Sequence, residues 1–170
     1  MPEPIRIFVR VVDGLNYRIG RFAMYLLYPL GAILLASTAS RIFLGLPINW
    51  ALEMSQFILS AYYLLGGAYT FQLGQHVRMD LLYDRLSARN RAITDAFTIL
   101  FVIFYLAVLF GGGLSSTNYA IVYGQKNYSA WSPPLWPIKV VMTAAIFMML
   151  LQCVSALFKD IAIARGKPLA

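Results

Sequence analysis

Apolar runs set off by charge organise this chain into four stretches, residues 22–40, 50–73, 92–114 and 137–158. A helix rises 1.5 Å per residue and needs about 20 apolar residues to cross the hydrocarbon core of a bilayer. Each run is close to that length, so the pattern predicts an all-α integral membrane protein with four transmembrane helices. No run alternates polar and apolar residues over about ten positions, as a transmembrane β-strand would. Arg18 and Arg21 ahead of the first run, and the small residues that close it, have the look of a secretory leader. The run is longer than a leader's apolar core and is followed by Arg41, so it is expected to be retained as a span.

The second run carries a finer pattern. Glu53, Ser60, Gly67 and Gly74 recur every seven residues, and Gln56, Tyr63 and Thr70 follow the first three of them by three. At about 3.5 residues per turn these positions form one stripe of small and polar side chains. Small residues let helix backbones approach closely in a membrane, and hydroxyls and amides can bond across the contact. The stripe is expected to pack against protein, within this chain or in a partner. A transport pathway is the sharper alternative, but Glu53 lies at the outer end beside Trp50, and no ionisable residue stands near the middle of any span.

Residues 74–91 break the apolar pattern. A helix over about 78–90 would align Met79, Leu82, Tyr83 and Leu86 on one stripe, with Arg78, Arg85 and Arg89 on a neighbouring face and Asp80 and Asp84 on another. The segment is too short and too charged to span. It is expected to lie as an amphipathic helix at the membrane surface, between spans two and three, its apolar stripe in lipid or on a partner. The bland alternative is a solvated loop. Residues 117–136 hold several Tyr and Trp among Gly, Asn and Ser, with Pro133 and Pro134 barring helix, and are expected to form a loop at the opposite surface.

Composition agrees with a membrane protein: of 170 residues 60% are hydrophobic and only 12% charged, and the mean hydropathy is +0.68. In a four-span arrangement eleven of the 14 basic residues fall on the side of the two termini and the 74–91 connection, leaving Arg41, Lys126 and Lys139 opposite. The positive-inside rule then places both termini in the cytoplasm. The net charge of +7 is accounted for by basic residues facing anionic phospholipid, and no nucleic-acid partner is needed.

Candidate chemistry is sparse. His76 is the single histidine, too few for a bis-histidine haem, and no set of N, S and carboxylate ligands accompanies it. Cys153 has no partner for a disulfide and reads as a small apolar filler. Gly111, Gly112 and Gly113 neither follow a strand nor precede the Lys-Ser/Thr pair of a phosphate loop, and mark a close helix crossing or a loosened helix end instead. No catalytic, cofactor-binding or metal-ligating residue is assigned, and no enzyme activity is expected.

Three groups of residues carry a resemblance to a known family. They are Trp50 with Glu53, the run GGAYTFQLGQHVRMDLLYDRL from Gly66 to Leu86, and SPPLWPIKVVMTAAIFMMLLQ from Ser132 to Gln152. Together they resemble the small, DctQ-like membrane subunit of tripartite ATP-independent periplasmic (TRAP) transporters, over nearly the whole chain after its first 20 residues. The resemblance implies a cytoplasmic (inner) membrane protein of a bacterium or archaeon that works with two partners. A periplasmic binding protein captures an organic acid, and a large, M-type membrane subunit carries it across with sodium in an elevator-like movement. The small subunit braces the large one and holds no cofactor of its own. A small four-helix carrier would need a carboxylate in its first span, and a respiratory membrane anchor would need more histidines, so both are weaker alternatives.

Overall fold

The computed structural model describes residues 3–73 and 88–164. Five α-helices follow one another: α1 (Glu3–Tyr25), α2 (Leu27–Ala39), α3 (Ala51–Gln72), α4 (Ala88–Val122) and α5 (Trp136–Ala164), with a π-helical turn, Ser40–Leu44, closing α2. No β-strand occurs among the described residues; Lys126 and Pro134 form only an isolated bridge. The expected surface helix over 78–90 lies outside the described residues apart from the first backbone turn of α4. Gly74, Arg78, Met79, Asp80, Leu82, Arg85 and Leu86 therefore have no described position, and Arg89 has only a helical backbone.

Three helical stretches among the described residues are long and apolar enough to cross a membrane: Glu3–Leu44, Phe97–Val122 and Trp136–Ile163. The second expected span, α3, has the length, 22 residues, but is not among them. Its polar stripe is the reason, because Glu53, Gln56, Ser60, two glycines and Thr70 dilute its apolar content.

The first expected span begins far earlier than the apolar run. Residues 3–25 are helical and join α2 through a single turn residue, so one helical stretch of 42 residues runs from Glu3 to Leu44. The buried residues of α1, Val9, Val12, Asn16, Gly20 and Ala23, recur every three or four positions. That spacing puts them on one face, which packs against α3 and α5. Gly45, in the left-handed region at φ 66°, ends the stretch, and a side chain there would be strained.

α1, α3 and α5 touch one another, with α4 resting on α5 and α2 on α3. The core lies where α4, α5 and the end of α3 meet, with Ile99 and Leu106 of α4 around Cys153 of α5, and Phe71, Met149 and Leu150 packed onto them. Cys153 is fully buried and free, the small filler its sequence context suggests. On the far side of α4, Phe97, Phe101 and Phe104 stand exposed, as befits a lipid-facing surface.

α4 also corrects one expected boundary. It continues to Val122, so residues 117–122, placed in the outer loop by sequence, are helical, and Gly111–Gly113 lie within the helix instead of loosening its end. Nothing before Gly124, left-handed at φ 56°, interrupts the helix. The glycines do mark a close crossing: a Cβ at Gly113 would lie 3.1 Å from Thr143 Oγ1 on α5, whereas Gly111 and Gly112 face open space.

The tightest approach is at Gly20, where a Cβ would collide with Cβ and Cγ of Tyr69 on α3. Gly20→Ala should destabilise the bundle by about 1–3 kcal/mol through overpacking. Gly14→Ala, six residues away with nothing within 4 Å of its would-be Cβ, should be neutral or stabilising by up to about 1 kcal/mol. Unfolding of the purified protein in detergent with increasing denaturant separates the two.

Candidate functional site

Buried polar side chains find one another in two places. At the end of the bundle where α1 begins, α1 and α5 meet through Asp13, Asn16, Gln152, Ser155 and Lys159. Asn16 Nδ2 donates to Gln152 Oε1 in a short contact. Gln152 Nε2 donates to Asp13 Oδ1 at 3.0 Å, Ser155 Oγ donates to the same oxygen at 3.3 Å, and Lys159 Nζ pairs with Asp13 Oδ2 at 2.5 Å. The last residue of α3 joins them, with Gln72 Nε2 donating 3.2 Å to the main-chain oxygen of Asp13. Asn16, Gln152 and Ser155 are buried, whereas Lys159 and Asp13 keep partial exposure. The charged pair thus sits at the wet edge of a dry amide cluster. Asn16 Oδ1 and Gln72 Oε1 are buried there without a hydrogen bond.

Apolar run lengths do not reveal this clasp, although the sequence carries its signal. Gln152, Ser155 and Lys159 stand at i, i+3 and i+7, and Asp13 and Asn16 at i and i+3, the spacing of one helix face. A polar stripe on the fourth run matched to another ahead of the first run would have placed residues 3–21 against the bundle.

The second clasp joins α4 to α5 at the opposite end. Thr117 and Thr143 share a hydrogen bond of 2.9 Å beside Gly113. Lys139 Nζ donates to Gln125 Oε1 at 2.8 Å and to the main-chain oxygen of Ser116 at 3.4 Å. The loop that follows is tied down by Leu135 N donating to Gln125 O and Asn127 N to Pro133 O, at 2.9 and 3.0 Å. Tyr128 projects from it fully into the open.

The stripe on α3 divides between these packed regions and open surface. Gln56, Ser60, Tyr63 and Thr70 are exposed, Gly67 is half-buried with its would-be Cβ 3.7 Å from Met149 Sδ, and Glu53 is buried. The stripe is therefore not sealed inside this chain; the helix buries another face, through Ala51, Ser55 and Ala68. Beside the stripe, between α1 and α3, lies a groove of about 440 Å³ floored by Gly20, Ala23, Gly66 and Gly67 and walled by Tyr62, Tyr63 and Tyr69. The Thr70 hydroxyl is spent within its own helix, donating to Gly66 O and Gly67 O, and so presents a methyl face outward. Glu53 Oε2 is buried with no hydrogen bond. Among the described residues no three His, Cys, Asp or Glu side chains gather as metal ligands would.

Cutting the amide cluster tests its weight. Gln152→Leu strands the buried Asn16 amide and should cost about 1–2 kcal/mol. Lys159→Ala removes a partly exposed ion pair and should cost less, about 0–1 kcal/mol. The readout is the detergent unfolding midpoint of each variant, and an Asn16→Leu/Gln152→Leu double variant should cost less than the two single changes added together.

The comparisons with known proteins follow the same lines as the geometry. No curated protein matches the chain, and no solved structure does. The family model described as the DctQ component of tripartite ATP-independent periplasmic transporters matches residues 20–162, from the last turns of α1 into the end of α5. With that match and its long apolar helices, the chain belongs to the DctQ component family of tripartite ATP-independent periplasmic transporters, as a membrane protein.

Proposed function

We propose that this chain is the small permease subunit of its transporter and braces a large membrane subunit, which performs sodium-coupled uptake of an organic acid delivered by a periplasmic binding protein. The observation that carries this reading is the α3 face that the chain leaves uncovered. Gln56, Ser60 and Tyr63 are poor company for lipid tails, and the adjoining groove has a glycine floor on which another helix can settle closely. Glu53 adds to it, because a buried carboxylate oxygen with no hydrogen bond calls for a donor from outside the chain. The sodium-coupling chemistry belongs in this reading to the large subunit, and this chain is a non-enzymatic scaffold without a cofactor.

In the same reading α2, α3, α4 and α5 all cross the inner membrane, with α3 lodged between the others so that its modest apolar content faces protein. Both termini are then cytoplasmic, on the side that collects most of the basic residues. The tied-down loop with Tyr128 faces the periplasm, where a binding protein docks.

Gly66→Leu tests the bracing surface, since a Cβ there meets nothing within 4 Å in this chain. The isolated subunit should keep its stability to within about 1 kcal/mol, or gain slightly from better helix propensity. Copurification with the large subunit and sodium-driven uptake in proteoliposomes should both fall, whereas Leu64→Ile should leave them near parental. Parental assembly and uptake by Gly66→Leu would remove α3 from the interface. Orientation is checked separately by single-cysteine labelling in a Cys153→Ser background: Asn127→Cys should react with a membrane-impermeant reagent in intact cells, and Glu3→Cys only after lysis.

A further inference from the structure

The inward face of α1 is accounted for by the bundle, but its outward face is not. Ile7, Val11, Leu15 and Phe22 are exposed there, Ile7 and Val11 by 61% and 62%. They recur at four-residue and near-four-residue spacing, with Arg18 within the same stripe and Arg6 and Arg10 beside it, all three exposed. The polar clasp fixes which face this is. Asn16 and Asp13, bonded to Gln152 and Lys159, set the rotation of α1 about its own axis. The second apolar stripe and its arginines therefore cannot turn inward.

We infer that this outward face of α1 binds anionic phospholipid, its apolar stripe seated among the upper acyl carbons and Arg6, Arg10 and Arg18 on headgroup phosphates. Two observations favour lipid over a protein groove. α1 joins α2 through the single turn residue Leu26, in a helical stretch that contains an apolar run long enough to cross a membrane, so α1 is held within a helix length of the bilayer surface. The charge on this face has one sign along its length: Asp13 is taken up by Lys159, leaving Glu3 at the start of the helix as the remaining carboxylate on α1. Guanidinium groups above an apolar stripe suit an interface where acyl chains end and phosphates begin. Arg21 is not counted with them, because it donates 3.2 Å to the Tyr17 hydroxyl and lies 5.9 Å over its ring. Tyr17 in turn packs on Tyr69. The inference goes beyond the bracing role and does not depend on it.

The test is hydrogen exchange of the full chain in nanodiscs of phosphatidylcholine alone or mixed with phosphatidylglycerol, with retained phosphatidylglycerol counted by native mass spectrometry. Each basic residue at an anionic surface is worth about a fivefold preference. Amides of residues 3–18 should exchange at least about tenfold more slowly in the anionic discs, with the difference shrinking in high salt. Arg6→Gln/Arg10→Gln/Arg18→Gln should erase the difference and release the phosphatidylglycerol while α5 around Gln152 stays protected. If the triple variant loses α5 protection too, the dependence of the parental protein on anionic lipid fraction and salt decides. Equal exchange in both lipids overturns the inference, as does protection that arises only when the large subunit is added and ignores lipid charge.

Discussion

A polar side chain buried among packed helices has no solvent to fall back on, and the shape of this bundle follows from where such side chains meet. The amide cluster of Asn16 and Gln152, edged by the Asp13–Lys159 pair, is the contact on which the rest turns. Apolar packing alone would let α1 slide or rotate on α3 and α5. An amide that must face its partner permits only one register. Gly20 against Tyr69 then becomes possible, because the helices are already aligned when their backbones come close. At the other end Thr117, Thr143 and Lys139 do the same for α4 and α5. The bundle is pinned at both ends and packed by small and apolar residues between.

Much of this was legible in the chain, for a simple reason. Apolar length is a local property, so the four runs located α2, α3, α4 and α5 to within several residues, and Cys153 fell where a small core residue should. What was not legible depended on pairing between distant segments. Residues 3–21 look like a charged flank when read alone, since Arg6, Arg10, Arg18 and Arg21 dominate the eye. Their helix becomes evident only once Asn16 is matched with Gln152, 136 positions away. The end of α4 was missed differently. Three glycines fit either a close crossing or a loosened end, and only the contact of Gly113 with Thr143 decides for the crossing.

The surroundings of the α3 stripe cannot be read from periodicity. Seven-residue spacing says which residues share a face, not what covers that face. Ala51, Ser55 and Ala68, which the pattern left out, are buried within the chain alongside Glu53, and the rest of the described stripe stays largely open. A helix with small residues on two sides is suited to a position between two protein masses. On the proposed reading this lets a segment of modest apolar content cross the membrane, in keeping with a family described as one component of a transporter.

The joint inside the stretch from Glu3 to Leu44 has a mechanical consequence. Leu26 interrupts the helix as a turn residue, and Pro29 has no N–H to donate to Tyr25 O, so α1 and α2 are two rods with a bend allowed between them. α1 is clamped by the Gly20–Tyr69 contact and the Asp13 cluster. A free helix meets a thinner membrane by tilting. Here α2 can tilt about the joint while α1 keeps its register, so the hinge separates what the bilayer asks of one helix from what the polar cluster fixes in the other.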